Sequence, residues 1–187
     1  MIKLIKNSKI DILYGFTLIE LMVVVVLFAV LATVGANFFS TILRGSNKVS
    51  SINQLKQNGS YAFGIMERFI RNAEMVMSTC DDGTNKLSSI TILNPDNNQT
   101  TFDFSGGRIA SVSAWPAPTP SFTFNLTDSS VVLLDVPNTS YFKCTSGNGT
   151  PEKIDIVFTL QPTNMSALPV DKKATVQFQT TISLRNY

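Results

Sequence analysis

The chain has 187 residues with 15 basic and 13 acidic side chains, a formal net charge of +2, two cysteines and no histidine. The missing histidine excludes Ser-His-Asp and Cys-His catalysis and histidine-containing zinc sites. The near-neutral balance gives no bulk electrostatic case for binding nucleic acid. A glycine-rich phosphate loop with its lysine is also absent. The chain is therefore expected to be no enzyme and to need no cofactor or metal.

The chain opens with a short leader containing Lys3, Lys6 and Lys9, followed by the junction Tyr14-Gly15-Phe16-Thr17-Leu18-Ile19-Glu20-Leu21. Beyond that junction Glu20 is the only charge before Arg44. An ordinary secretory signal is cut after its apolar region and loses it, whereas a cut at Gly15 keeps the apolar region on the mature protein. Loss of residues 1–15 removes Lys3, Lys6, Lys9 and Asp11, so 15 basic and 13 acidic side chains become 12 and 12. The exported part is then neutral.

From Leu21 to Leu43 the chain is uncharged and mostly apolar. That exceeds the roughly 20 residues a helix needs to cross a hydrocarbon layer of about 30 Å. The leader lysines put the N-terminus in the cytoplasm by the positive-inside bias and residues 44 onward outside. Glu20 stands at the edge of this span, where an acid is costly without a partner or a polar escape. After a cut at Gly15 it lies four residues from the new amine of Phe16, about 6 Å along a helix. It can reach its own terminus or a neighbour's, or snorkel to the interface of a plain anchor. A different reading is an ordinary signal peptide cut near Val34-Gly35-Ala36. The apolar stretch is long for that and would contain Glu20.

Gly15-Phe16-Thr17-Leu18-Ile19-Glu20, followed by its apolar run, resembles the processing and methylation motif of type IV pilin-like proteins: pilins, minor pilins and the pseudopilins of type II secretion. The resemblance covers about the first thirty residues. It implies cleavage between Gly15 and Phe16 by a prepilin peptidase, N-methylation of Phe16, and filament assembly in which Glu20 neutralises the terminal amine of an adjacent subunit. The partners it implies are other pilin or pseudopilin subunits, the peptidase/methylase, an inner-membrane assembly platform and membrane lipid. The location it implies is the inner membrane, with extraction into a filament on assembly.

Past the span, Ile52, Leu55, Gly59, Ala62, Phe63, Met66, Phe69, Ile70, Ala73 and Met77 recur at helical spacing, with Ser60, Gly64, Arg68 and Arg71 opposite. The spacing predicts one helix from about Phe16 to Met77, roughly 90 Å long. Gly35, Gly45, Gly59 and Gly64 are its weak points, each costing about 1 kcal/mol against alanine. Tyr61, Ile65 and Met75 lie off the stripe, and some of them are expected to touch neighbouring subunits.

From residue 79 runs rich in Ile, Val, Thr and Phe alternate with Gly, Pro, Asn and Asp clusters, the pattern of strands and turns. Strands are expected at 88–93, 100–104, 107–112, 121–126, 130–136, 153–160 and 174–184, with Ser105-Gly106-Gly107 as a hairpin turn. Trp115-Pro116-Ala117-Pro118-Thr119-Pro120 is a loop because proline removes ladder donors; its tryptophan is a lid over the core or an exposed contact. Cys80 and Cys144 fall in the exported part, where a disulfide is expected, two buried thiols being the alternative.

Asp81-Asp82-Gly83-Thr84-Asn85 could serve as a calcium loop but lacks EF-hand spacing, so a solvated turn is the expectation. Asp103, Asp135 and Asp155 could meet as catalytic carboxylates, but sit among strand residues that suit solvent faces. Sequons begin at Asn98, Asn125, Asn138, Asn148 and Asn164 and are read as chance occurrences in an Asn- and Thr-rich chain.

The expected architecture is α+β: a cleaved leader at 1–15, a transmembrane or filament-core helix at 16–43, its amphipathic continuation at 44–78, and an exported antiparallel β domain at 79–187. A helix followed by a run of strands supports it, as does the resemblance. The expected role is a minor pilin or pseudopilin, because the exported domain is large and its loops irregular. The alternative is a membrane-anchored binding or adhesion protein that does not polymerise.

Overall fold

A computed structural model describes residues 15–80, 84–114, 121–147 and 150–184. Helix α1 spans Leu18–Arg71, 54 residues. By internal contacts the chain divides into two compact units, one ending at Leu43 and the other running from Arg44 to Tyr187.

In the first unit the helix from Leu18 to Leu43 is exposed on every side, including Leu21, Val26, Phe28, Leu31, Phe38 and Phe39. Both of its threonine hydroxyls are bonded within the helix: Thr33 Oγ1 donates to the Val30 carbonyl at 2.8 Å and Thr41 Oγ1 to that of Asn37 at 3.0 Å. A helix that satisfies its backbone and its threonine hydroxyls internally suits a medium that offers no hydrogen bonds.

The second unit is built on the amphipathic part of α1. Leu55, Gly59, Ala62, Met66 and Ile70 are its buried positions, a run of three- and four-residue steps. Phe63 and Ile52 pack beside them. The helix ends at Arg71, earlier than the predicted Met77. The amides of Asn72 and Ala73 turn back onto the carbonyls of Phe69 and Ile70, and the next donors go to a sheet, Glu74 N to Leu93 O at 2.9 Å and Met77 N to Thr91 O at 2.8 Å. Met75–Val76 is thereby strand β1 rather than helix. Arg68 and Arg71 in the last turn oppose the helix dipole, and Arg71 pairs with Glu67 at 2.6 Å.

Two antiparallel sheets follow. The first is a five-stranded meander in the order β1-β2-β3-β4-β5, with β2 at Ser89–Leu93, β3 at Gln99–Asp103, β4 at Ala110–Ala114 and β5 at Phe122–Asn125. In the second, the long β8 (Thr150–Pro162) pairs with β6 (Val131–Leu133) and β7 (Tyr141–Gly147), and also with β9 (Val176–Ser183). All seven expected strands exist, and β1 and β7 are additions. The expected turn at Ser105-Gly106-Gly107 joins β3 to β4. Gly107 sits at φ 71 with its amide on the Phe104 carbonyl, so β4 starts at residue 110 instead of 107. β6 stops at Leu133 because Asp135 turns the chain at φ 45.

Phenylalanines fill the space between α1 and the sheets. Phe63 lies 5.1 Å from Phe158 between ring centroids, Phe158 stacks on Phe178 at 5.0 Å and Phe104 on Phe142 at 4.1 Å. The Phe178 ring lies against Gly59, where an added Cβ would fall inside the ring's van der Waals surface. Gly59 therefore makes a close approach that no larger residue allows. Ile65, one of the three positions offered for contact with a neighbouring subunit, is half-buried against this core instead, since a helix that touches both sheets buries a stripe wider than one row.

Candidate functional site

The site is the start of α1. Gly15, Phe16 and Thr17 precede the helix in irregular backbone, and all three are exposed. Phe16 is 82% exposed, and nothing stands within 4 Å of where a Gly15 side chain would project. Both residues that flank the Gly15–Phe16 bond are thus exposed.

Thr17 caps the helix. Its Oγ1 accepts the Glu20 amide at 3.3 Å and its carbonyl accepts the Leu21 amide at 3.2 Å. Thr17-Leu18-Ile19-Glu20 has the spacing of a capping box, a start signal that the reading of the sequence above did not use. It fixes where the helix begins and puts Glu20, the acid of its first turn, at the positive end of the helix dipole. Glu20 therefore has a favourable place in the single chain, before any neighbour is considered. Phe16 and Glu20 lie on either side of the cap, one outside the helix and one within its first turn.

The family model described as the prokaryotic N-terminal methylation motif matches residues 14–36. The chain has a type IV pilin-type N-terminus. This supports a pilin-like family and points to a structural subunit, with prepilin peptidase processing and assembly with other pilin subunits implied. No curated protein matches the chain, and no solved structure does. Behind the pilin-type signal, α1 is long and apolar enough to cross a membrane, consistent with a pilin anchor, and it leads into an α+β domain of long helix and antiparallel sheets.

Cys80 and Cys144 form a disulfide, with Cα atoms 4.8 Å apart. It joins the segment after β1 to β7, far from the pilin-type signal in sequence. Asp103 accepts from the Ser105 amide at 2.8 Å, Asp135 from the Asn138 amide group at 3.0 Å, and Asp155 from Thr181 Oγ1. Each of these carboxylates is thus held by a local partner. Among the described residues no group of three or more His, Cys, Asp or Glu is placed to hold a metal. Asn98 is 8% exposed and donates to Asp96, a poor position for a glycan. The Asp81-Asp82-Gly83 part of the calcium reading, the Trp115–Pro120 loop, the sequon asparagine Asn148 and the leader lysines lie outside the described residues.

Two carboxylates beyond the apolar segment are held below the usual range. Asp128 is lowered first by the backbone amide of Ser130, which donates at 2.7 Å, and then by the Ser130 side chain. Asp171 is lowered chiefly by the Asn47 amide, which donates at 2.9 Å. The Asp128 amide in turn donates to Asn58 Oδ1 at 2.8 Å, so both acids belong to links between α1 and the loops of the domain.

Proposed function

We propose that this chain is a minor pilin or pseudopilin: cut between Gly15 and Phe16, N-methylated on Phe16, and assembled through its N-terminal helix into a type IV pilus or type II secretion filament. The observation that carries the reading is the match of the methylation motif to residues 14–36. In this reading residues 1–15 are a leader, residues 16–43 first span the inner membrane with the amine in the cytoplasm, and the domain stands outside. Assembly exchanges lipid for the helices of neighbours and draws the subunit out of the membrane. Glu20 pairs with the Phe16 amine of an adjacent subunit, a charge-assisted bond made where water is scarce. Exposed Tyr61 and Met75 lie on the outer side of the domain and contact neighbouring subunits.

The deciding measurement is the intact and N-terminal peptide mass of the protein from its native membrane. A chain beginning at methylated Phe16 is expected. A chain beginning at Met1 supports the plain anchored protein, and one beginning near Asn37 a secreted protein. In a filament-incorporation assay, Glu20→Ala, Tyr61→Asp and Met75→Asp are expected to be processed but not incorporated. Incorporation at the unsubstituted level overturns the role of the residue concerned.

A further inference from the structure

The domain meets α1 in a definite order along the helix. Asn47 Nδ2 donates to Asp171 at 2.9 Å, Gln54 Nε2 to Ser130 Oγ at 2.8 Å, and Asn58 Oδ1 accepts the Asp128 amide at 2.8 Å. Phe63 then meets Phe158, and Phe69 meets Phe102. Among these contacts the one at Asp171 is nearest to the end of the apolar run, which closes at Leu43.

The loop that carries Asp171 makes two short 3-10 turns, Met165–Ala167 and Val170–Lys172. Val170 is 81% exposed, more than any other large hydrophobic side chain described from Arg44 onward. Lys172 is exposed and Lys173 half-buried. α1 adds the exposed cations Arg44 and Lys48. Steps of three and four residues put Arg44, Asn47 and Lys48 on one face of the helix, and Lys48 stands two turns before the buried Leu55, on the side that carries the domain. Arg44 and Lys172 both act on the Asp171 carboxylate, so the cations of helix and loop share one patch. Within residues 44–51 and 164–175 Asp171 is the only acid beside Arg44, Lys48, Lys172 and Lys173. It is already engaged by Asn47, and among the described residues none of the four cations makes an ion pair.

We infer that this patch is a second membrane contact of the subunit: Val170 lies among the headgroups of the bilayer that α1 spans, and Arg44, Lys48, Lys172 and Lys173 hold the phosphates of anionic phospholipids. The inference rests on the reading of residues 16–43 as a membrane span. Two observations select lipid as the occupant. The first is depth. Asn47 is four residues past Leu43, about 6 Å along a helix, and the polar layer on each side of the hydrocarbon is about 5–7 Å thick. Asp171, bonded to Asn47, therefore falls at headgroup level. The second is chemistry. Cations around a bare aliphatic side chain match an interface where phosphate lies over hydrocarbon, and an anionic surface attracts cations within a Debye length of about 8 Å. The contact belongs to the unassembled subunit. It holds the domain down on the membrane and is given up when the subunit leaves the bilayer.

The test places the full-length chain in vesicles of phosphatidylcholine mixed with phosphatidylglycerol, and in vesicles of phosphatidylcholine alone. A fluorophore is attached through Val170→Cys, through Val30→Cys in the apolar run, or through Gln99→Cys, the bonded native cysteines being spared. Gln99 is exposed and pairs with Leu93, which receives the Glu74 amide past the far end of α1. In the mixed vesicles, nitroxides on the lipid headgroups are expected to quench the Val170 site at least threefold more than the Gln99 site. Quenching at the Val170 site is expected to fall at least threefold in phosphatidylcholine alone, and equally when Lys172→Gln and Lys173→Gln are added. Equal quenching at the Val170 and Gln99 sites, or at the Val170 site in both kinds of vesicle, overturns the inference. Quenching of the Val30 site by nitroxides on the acyl chains, with none at the Val170 site, overturns the inference alone. A Val30 site that those nitroxides do not quench overturns the membrane-span reading as well.

Discussion

Gly59 shows how a single residue can change meaning between sequence and fold. On helix propensity alone it is a weak point, and alanine there would add about 1 kcal/mol of stability. The Phe178 ring reverses that expectation, because a Cβ at this position would overlap it. Overpacking in a filled core costs about 1–3 kcal/mol, so Gly59→Ala is expected to lower stability in chemical denaturation despite its better propensity. Asp128 and Asp171 supply a pH dependence. Both have folded-state values below that of an unfolded aspartate, about 3.9. Their contribution is present above that value and is lost as pH falls through the lower folded-state values. Asp128→Asn and Asp171→Asn should therefore melt below the unsubstituted protein at pH 7, and the difference should close in acid well under ~3.9. Glu20 was legible from the motif around it, while its fit to the Thr17 cap was equally available from a four-residue spacing.

Among the elements, regular spacing was the part of the fold the sequence showed most plainly. The stripe of Leu55, Gly59, Ala62, Met66 and Ile70 is buried as its period requires, and strands built from β-branched residues between turn residues appear where they were expected. β1 and β7 escaped for different reasons. Met75–Val76 continues the apolar stripe, so only the capture of its amides by Leu93, Thr91 and Glu152 takes it from helix to sheet. Tyr141–Gly147 contains Lys143, Cys144, Ser146 and Gly147 and carries little strand character of its own. Its place comes from pairing with β8. The Cys80–Cys144 bond crosses from the segment after β1 to this strand, a separation of 64 residues. On the chain-entropy relation a loop of that length contributes about 4 kcal/mol. Cys144→Ser paired with Cys80→Ser is expected to lower the denaturation midpoint accordingly, and an unchanged midpoint would show that the fold does not depend on the bridge.

At the scale of the whole molecule, the division between Leu43 and Arg44 separates an apolar helical unit from a unit with a buried core. Every buried hydrophobic residue in the core lies from Leu55 onward, and the exposed apolar length of α1 precedes Arg44. A chain beginning at Arg44 is accordingly expected to fold in water with the disulfide formed and a cooperative melt. Aggregation or absence of a melt would mean that the apolar segment is needed for the domain to fold. The two units thus differ in kind: the apolar helix is long enough to cross a membrane, and the domain carries its own core and disulfide.

The sequence alone determined the pilin-type signal, the apolar span, the amphipathic stripe and the β-rich remainder, because each is written in residues close together along the chain. Only the tertiary structure decided where α1 stops, that Ile65 packs against the core, that Gly59 receives Phe178 and that β1 and β7 join the sheets. Those outcomes depend on pairing across tens of residues, where a backbone amide takes whichever carbonyl the packed sheets present. Local spacing does not encode that choice.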